Sequence, residues 1–181
     1  MNIKQICEEI NRVAQNDSHE FADLQLIRQS IRGLKRIRED ILFNPRDAKE
    51  DYAFHYGGRK ELQFNFGLVG WKKRKGETQF RYGIAFSIER SQYFHNPEEV
   101  FLPRVKVFNN FLETNRSYFN SYKMYIHRET GDPEDITNVE KISLQDVKSN
   151  TFIFIGKFEE KSLEEIYNSN IETILNAFDY C

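Results

Sequence analysis

Two stretches of strict alternation constrain this chain more than anything else in it. In residues 61–68 the apolar Leu62, Phe64, Phe66 and Leu68 alternate with Glu61, Gln63, Asn65 and Gly67; in residues 80–88 the apolar set is Phe80, Tyr82, Ile84, Phe86 and Ile88. Side chains of a strand point alternately to its two faces. Each run therefore predicts a strand with one buried face and one face open to solvent or ligand. The segment between them contains Gly70 and Gly76, which predicts an antiparallel hairpin.

The flanking sequence supplies the layers that would cover the apolar side. Ile3, Ile6, Ile10, Val13 and Ala14 recur at helical spacing and predict a helix over 2–15. Asn16-Asp17-Ser18 breaks it, and a second helix is expected over about 21–42, ended by Asn44-Pro45. Tyr52–Tyr56 reads as a strand turned by Gly57-Gly58. Asn96 and Pro97 fit the cap and first position of a helix running to about 114, with Phe101, Val105, Phe108 and Leu112 on one side. Tyr122–His127 reads as a strand, Gly131-Asp132-Pro133 as a turn, and the apolar run Thr151–Phe158 as a buried central strand. Ser162 with Glu165 forms a capping box for a last helix. The expected fold is α+β: a largely antiparallel sheet of about five to six strands, an N-terminal helical pair, and helices packed on one face. The expected organisation is one domain over 1–181, with a helical part at 1–44, a sheet-containing core at 50–160 and a C-terminal helix at 162–181. The helical pattern still runs at Cys181, which suggests a piece of a longer protein.

Composition narrows the classes. With 181 residues there is room for a real core, and 16 Phe and 9 Tyr argue against disorder. Cys7 and Cys181 lie at opposite ends and form neither a disulfide framework nor a zinc pattern. That fits a reduced, cytoplasmic setting. Cys7 falls on the apolar helix face and is expected to be buried and inert. No stretch approaches the length of a membrane span.

The net charge of −2 hides an asymmetry. Residues 1–90 hold 17 Lys/Arg against 13 Asp/Glu, or +4; residues 91–181 hold 9 against 15, or −6. Between Arg59 and Arg90 there are eight cations and three acids, and the hairpin tip reads Trp71-Lys72-Lys73-Arg74-Lys75. Cations gathered beside an indole suit a polyanion: each phosphate neutralised releases counterions, and an indole can stack on a base. The expected backbone contacts are Arg59, Lys60, Lys72, Lys73, Arg74 and Lys75. On the polar strand face, Gln63, Asn65 and Arg81 would read base edges, since amides pair with adenine and guanidinium with guanine. Tyr56, Trp71 and Tyr82 would stack, with Tyr52, His55 and Tyr93 as further members of an aromatic pocket.

The stretches FHYGGRKELQFNF at 54–66 and FRYGIAFSIE at 80–89, followed by FLPRVKVFNNFL and TFIFIGKF, resemble a domain found at the N-terminus of bacterial restriction-type proteins. There it precedes an HNH nuclease or, in Mcr-type modification-dependent systems, a nucleotide-driven motor. The resemblance covers roughly 50–160 and does not extend to the helices before residue 45. It implies a DNA-recognition module of a restriction or phage-defence protein, one possibility being recognition of a modified or flipped base. Cleavage or translocation would belong to a linked nuclease or NTPase domain or subunit. It fixes no individual contact residue.

Two other classes stay open. Glu159-Glu160-Lys161 has the E-x-K form of metal-dependent nucleases, but the acid expected on a preceding strand is served only loosely by Asp132 or Asp135. A protein–protein adaptor is the other, with the first helices as its docking surface. His19, His55, His95 and His127 show no ligand spacing, no phosphate-loop or nucleophile-elbow pattern occurs, and no metal or cofactor is expected.

Overall fold

A computed structural model of the chain describes residues 1–16, 42–46, 48–54, 62–70, 78–88, 95–128 and 135–179. The expected second helix and the Gly131-Asp132-Pro133 turn lie outside the described residues. The fold is α+β. Six strands form one antiparallel sheet: β1 (Tyr52–Phe54), β2 (Gln63–Leu68), β3 (Phe80–Ile88), β4 (Lys123–Arg128), β5 (Thr137–Asn138) and β6 (Thr151–Glu159). Their order is β1-β2-β3-β6-β4-β5. The described helices are α1 (Ile3–Asn16), α2 (Pro97–Thr114), α3 (Leu163–Ser169) and α4 (Ile171–Asp179). The chain packs as two compact units, one of Met1–Gly57, Phe64–Gly83 and Phe158–Cys181, the other of Gly58–Gln63 and Ile84–Lys157.

In the first unit, α1 begins with a reciprocal cap that its periodicity does not foretell. Asn2 Oδ1 accepts from the Gln5 amide at 3.0 Å, and Gln5 Oε1 accepts from the Asn2 amide at 2.9 Å. Ile3, Ile6, Cys7, Ile10 and Ala14 are buried, and the helix packs against α3, α4 and β1. The apolar face expected to dock a partner is thus used inside the fold, which removes α1 as the adaptor surface. Burial pushes the Cys7 thiol up to about 12, as expected for an inert cysteine.

Buried Asn11 then ties the chain beyond the helix. Its Oδ1 accepts from the amides of Leu42 (2.8 Å) and Phe43 (2.9 Å), and its Nδ2 donates to the Phe43 carbonyl at 2.7 Å. Those bonds place the Phe43 ring edge-on to Phe66 at 4.9 Å. Phe178 of α4 stacks on Phe64 at 4.8 Å and lies 5.9 Å from Phe43. The aromatic residues that alternate along β2 are therefore core, covered by α4.

β1 pairs with β2 through Tyr52↔Gly67, Ala53↔Phe66 and Phe54↔Asn65. Glycine is required at 67: φ is +153°, and a Cβ there would lie 2.3 Å from the Asp51 carbonyl oxygen and 2.5 Å from Tyr52 Cα.

The C-terminal helix is two helices, not one. Ser162 caps α3 as expected: its Oγ accepts from the Glu165 amide (3.3 Å), and Glu165 Oε2 accepts from the Ser162 amide (2.8 Å). The helix ends at Asn170, after Asn168 and Ser169, residues whose side chains compete for backbone partners. A fresh helix starts at Ile171 and buries Ile171, Ile174, Leu175 and Phe178.

In the second unit, α2 has the expected bounds and buries Pro97, Phe101, Val105, Phe108 and Leu112. Phe86 of β3 meets Phe101 at 6.3 Å and Phe108 at 5.7 Å, both edge-on. Asn96 does not cap the helix backbone; its Nδ2 donates to Glu99 Oε1 at 3.1 Å instead. β4 and β6 pair antiparallel from Lys123↔Gly156 to Arg128↔Thr151. β5 adds only Thr137 and Asn138 at the edge, opposite Met124 and Lys123; two residues carry no period, so nothing in the sequence marks them as a strand. Asn109 fixes the following segment to α2, exchanging bonds of 2.8 and 2.9 Å with the Ile142 backbone. Among the described residues no helix is long and apolar enough to cross a membrane.

Candidate nucleic-acid interface

β2 and β3 are neighbours in the sheet, and the base of their connection is closed by a backbone bond from the Val69 amide to the Gln79 carbonyl at 2.9 Å. The nine residues between those two positions include Trp71-Lys72-Lys73-Arg74-Lys75. Trp71, the four tip cations, Arg59, Lys60, Tyr56, His55 and Tyr93 all lie outside the described residues. Of the aromatic candidates, Tyr52 is described: it is partly exposed, with its ring 6.4 Å from Phe54.

The three expected edge readers are not on an open face. Gln63, Asn65 and Arg81 retain only 3%, 1% and 6% of their accessible surface, and every residue of β3 is buried. The alternation is real, but both faces of these strands are covered. Next to Arg81 along β3, its polar side carries Gly83, Ala85 and Ser87, small residues that leave room for close covering. A buried guanidinium must find acceptors inside the protein. Arg81 Nη1 donates to Asn65 Oδ1 at 2.6 Å, a bond made inside the protein, and burial of all three side chains is incompatible with presenting their edges to a base.

Tyr82 is corrected in the same way. Its ring is fully buried, 6.4 Å from Phe80, and its hydroxyl donates to Glu159 Oε1 at 3.1 Å. It is a core tyrosine with its polar end satisfied, not a stacking platform.

That bond also bears on the E-x-K stretch. Glu159 closes β6, and its second oxygen lies 3.6 Å from Lys161 Nζ. Lys161 in turn donates to Asn170 Oδ1 at 2.9 Å, and the same oxygen accepts from Ser169 Oγ at 3.0 Å. The cluster ties the end of β6 to the break between α3 and α4. A nuclease centre needs more than one carboxylate converging on a metal, and among the described residues no three His, Cys, Asp or Glu side chains are grouped to hold one. The arrangement is that of a structural joint.

One surface is not foretold by the core patterns. Val107 and Phe111 of α2 and Tyr118 in the 3-10 turn that follows (Arg116–Phe119) are exposed, at 69%, 40% and 57%. A signal for it exists: besides its buried set, α2 carries a second apolar series, Val100, Val107 and Phe111, at spacings of seven and four. The stronger core series masks it.

No family model, curated protein or solved structure matches the chain.

Proposed function

We propose that this chain binds DNA through the phosphate backbone, using the basic tip between β2 and β3, and that it serves as the recognition module of a restriction or phage-defence protein whose cleavage or translocation resides in another domain or subunit. The observation that carries the reading is the closure of the hairpin base by Val69 and Gln79 at 2.9 Å. It returns the chain to its starting point after nine residues, four of them consecutive cations beside a tryptophan. A short closed loop of that composition concentrates positive charge in one place, which favours phosphate contact and steering of a polyanion. The excess of cations in residues 1–90 supports the same reading.

With Gln63, Asn65 and Arg81 inside the fold, sequence discrimination by strand amides is no part of the proposal. Arg59 and Lys60 remain as backbone partners, and Trp71 and Tyr56 as stacking groups. Fluorescence anisotropy with plain, cytosine-modified and adenine-modified duplexes tests this. Expected is binding at low salt to all three, with any preference among them abolished in Trp71→Ala; absence of binding to every duplex in dilute buffer would overturn it.

A further inference from the structure

We propose that Gln79 is a base-reading residue, whose side-chain amide takes the N6–N7 edge of an adenine held at the foot of the basic tip. It rests on the reading of the tip as a phosphate-binding loop and adds discrimination between bases to it. Among the described residues, Gln79 Oε1 is the one buried side-chain polar atom that no protein donor reaches. Buried Asn11 shows the contrast: both ends of its amide are used, in three bonds to the backbone of Leu42 and Phe43. Asn65 Oδ1 likewise accepts from Arg81 at 2.6 Å. Folded chains leave few buried acceptors without a donor. A bond from a donor outside the chain would therefore be gained at Oε1 with none given up inside.

The position of this oxygen identifies the donor. The Gln79 backbone is fixed, because its carbonyl accepts from the Val69 amide at 2.9 Å where the hairpin closes. The residue as a whole is only partly buried and its neighbour Thr78 is exposed, so rotation about the side-chain bonds carries the amide outward. Beside the hairpin base, a Cβ at Gly70 would meet nothing within 4 Å, so the chain entering the tip is open there. Lys75 is four residues from Gln79, at most about 14 Å along the chain. A phosphate held by Lys75 and a base read by Gln79 can therefore belong to the same or neighbouring nucleotides. A glutamine amide offers an acceptor and a donor side by side. Adenine presents the complementary pair in the major groove, the N6 donor and the N7 acceptor, whereas guanine presents two acceptors. Guanine would leave Oε1 facing another oxygen.

Fluorescence anisotropy of the whole chain at one low salt concentration tests the contact. The probes are a duplex of alternating A·T sequence, one of alternating G·C sequence, and the A·T duplex with 7-deazaadenine in place of adenine. The wild type is expected to bind the A·T duplex about tenfold more tightly than the G·C duplex. Loss of the N7 acceptor in the 7-deazaadenine duplex should remove most of that preference. Gln79→Met, similar in size and without an amide, should bind all three duplexes as the wild type binds G·C. Its thermal midpoint should not fall, since no bond to Oε1 is lost within the protein. A wild type that binds the three duplexes equally, or a Gln79→Met protein that keeps the A·T preference, would overturn the assignment and leave phosphate binding by the tip standing. A clearly lowered thermal midpoint in Gln79→Met would also overturn it, by assigning the amide to holding the fold. Binding to none of the duplexes would overturn both this contact and the phosphate-binding tip.

Discussion

β3 buries an arginine while α2 exposes a valine. Arg81 keeps 6% of its surface and Val107 keeps 69%, the reverse of what residue type alone suggests. The difference separates periodicity from exposure. Alternation along β3 correctly divides its residues between two faces, but whether the polar face meets water depends on what covers it, and that is decided by tertiary packing. The buried series along α2 likewise locates the core side of the helix and says nothing of a second apolar series beside it. Polarity inside is tolerated because Asn65 supplies Arg81 with an acceptor at 2.6 Å; apolarity outside is tolerated in part because Phe111 keeps an edge-on contact with buried Phe119 at 6.1 Å.

The contrast can be broken most forcefully at Arg81. Arg81→Ala removes a buried guanidinium and its 2.6 Å bond to Asn65 and should cost about 3 kcal/mol in a urea melt. An Arg81→Ala protein of wild-type stability that no longer binds DNA would return the guanidinium to an open face. At intermediate size, Ser162→Ala removes the α3 cap and should cost about 1 kcal/mol. It should also blunt the acid side of the stability profile. The Glu165 carboxyl is held below the ordinary glutamate range by its bonds to the Ser162 backbone and side chain. A carboxylate with a depressed folded pKa contributes stability above its unfolded value and loses it as pH falls through the folded one. Ser162→Ala should therefore flatten the stability change across the carboxylate range, measured by thermal melts at stepped pH. The smallest effect belongs to α2: Val107→Ser, at a side chain 69% exposed, should alter stability by less than about 0.5 kcal/mol, whereas a large decrease would mean that the side chain is core after all.

Where local chemistry decides structure, the sequence is informative. The bounds of α2, β3 and β6, the Ser162 capping box and the α+β class follow from period, proline placement and cap residues. Asn168-Ser169-Asn170 shows the limit of that logic. The apolar stripe of Leu163 to Phe178 runs unbroken through it, but the chain stops and restarts the helix at Asn170, whose side-chain oxygen is held by Lys161 and Ser169. The candidate site is less legible for the same reason. Chemistry suited to a base edge, an amide or a guanidinium, is also chemistry suited to a buried hydrogen bond, and the residue type alone does not choose between Asn65 as reader and Asn65 as partner of Arg81.

The central claim is that the cations between β2 and β3 hold a nucleic-acid backbone. Its most direct test is the salt dependence of duplex binding for the wild type and for a variant with Lys72, Lys73, Arg74 and Lys75 all changed to Gln. The logarithmic slope should be steep in the wild type and shallower in the variant by about one for each phosphate no longer neutralised, up to about four. Equal slopes for the two proteins would contradict the account.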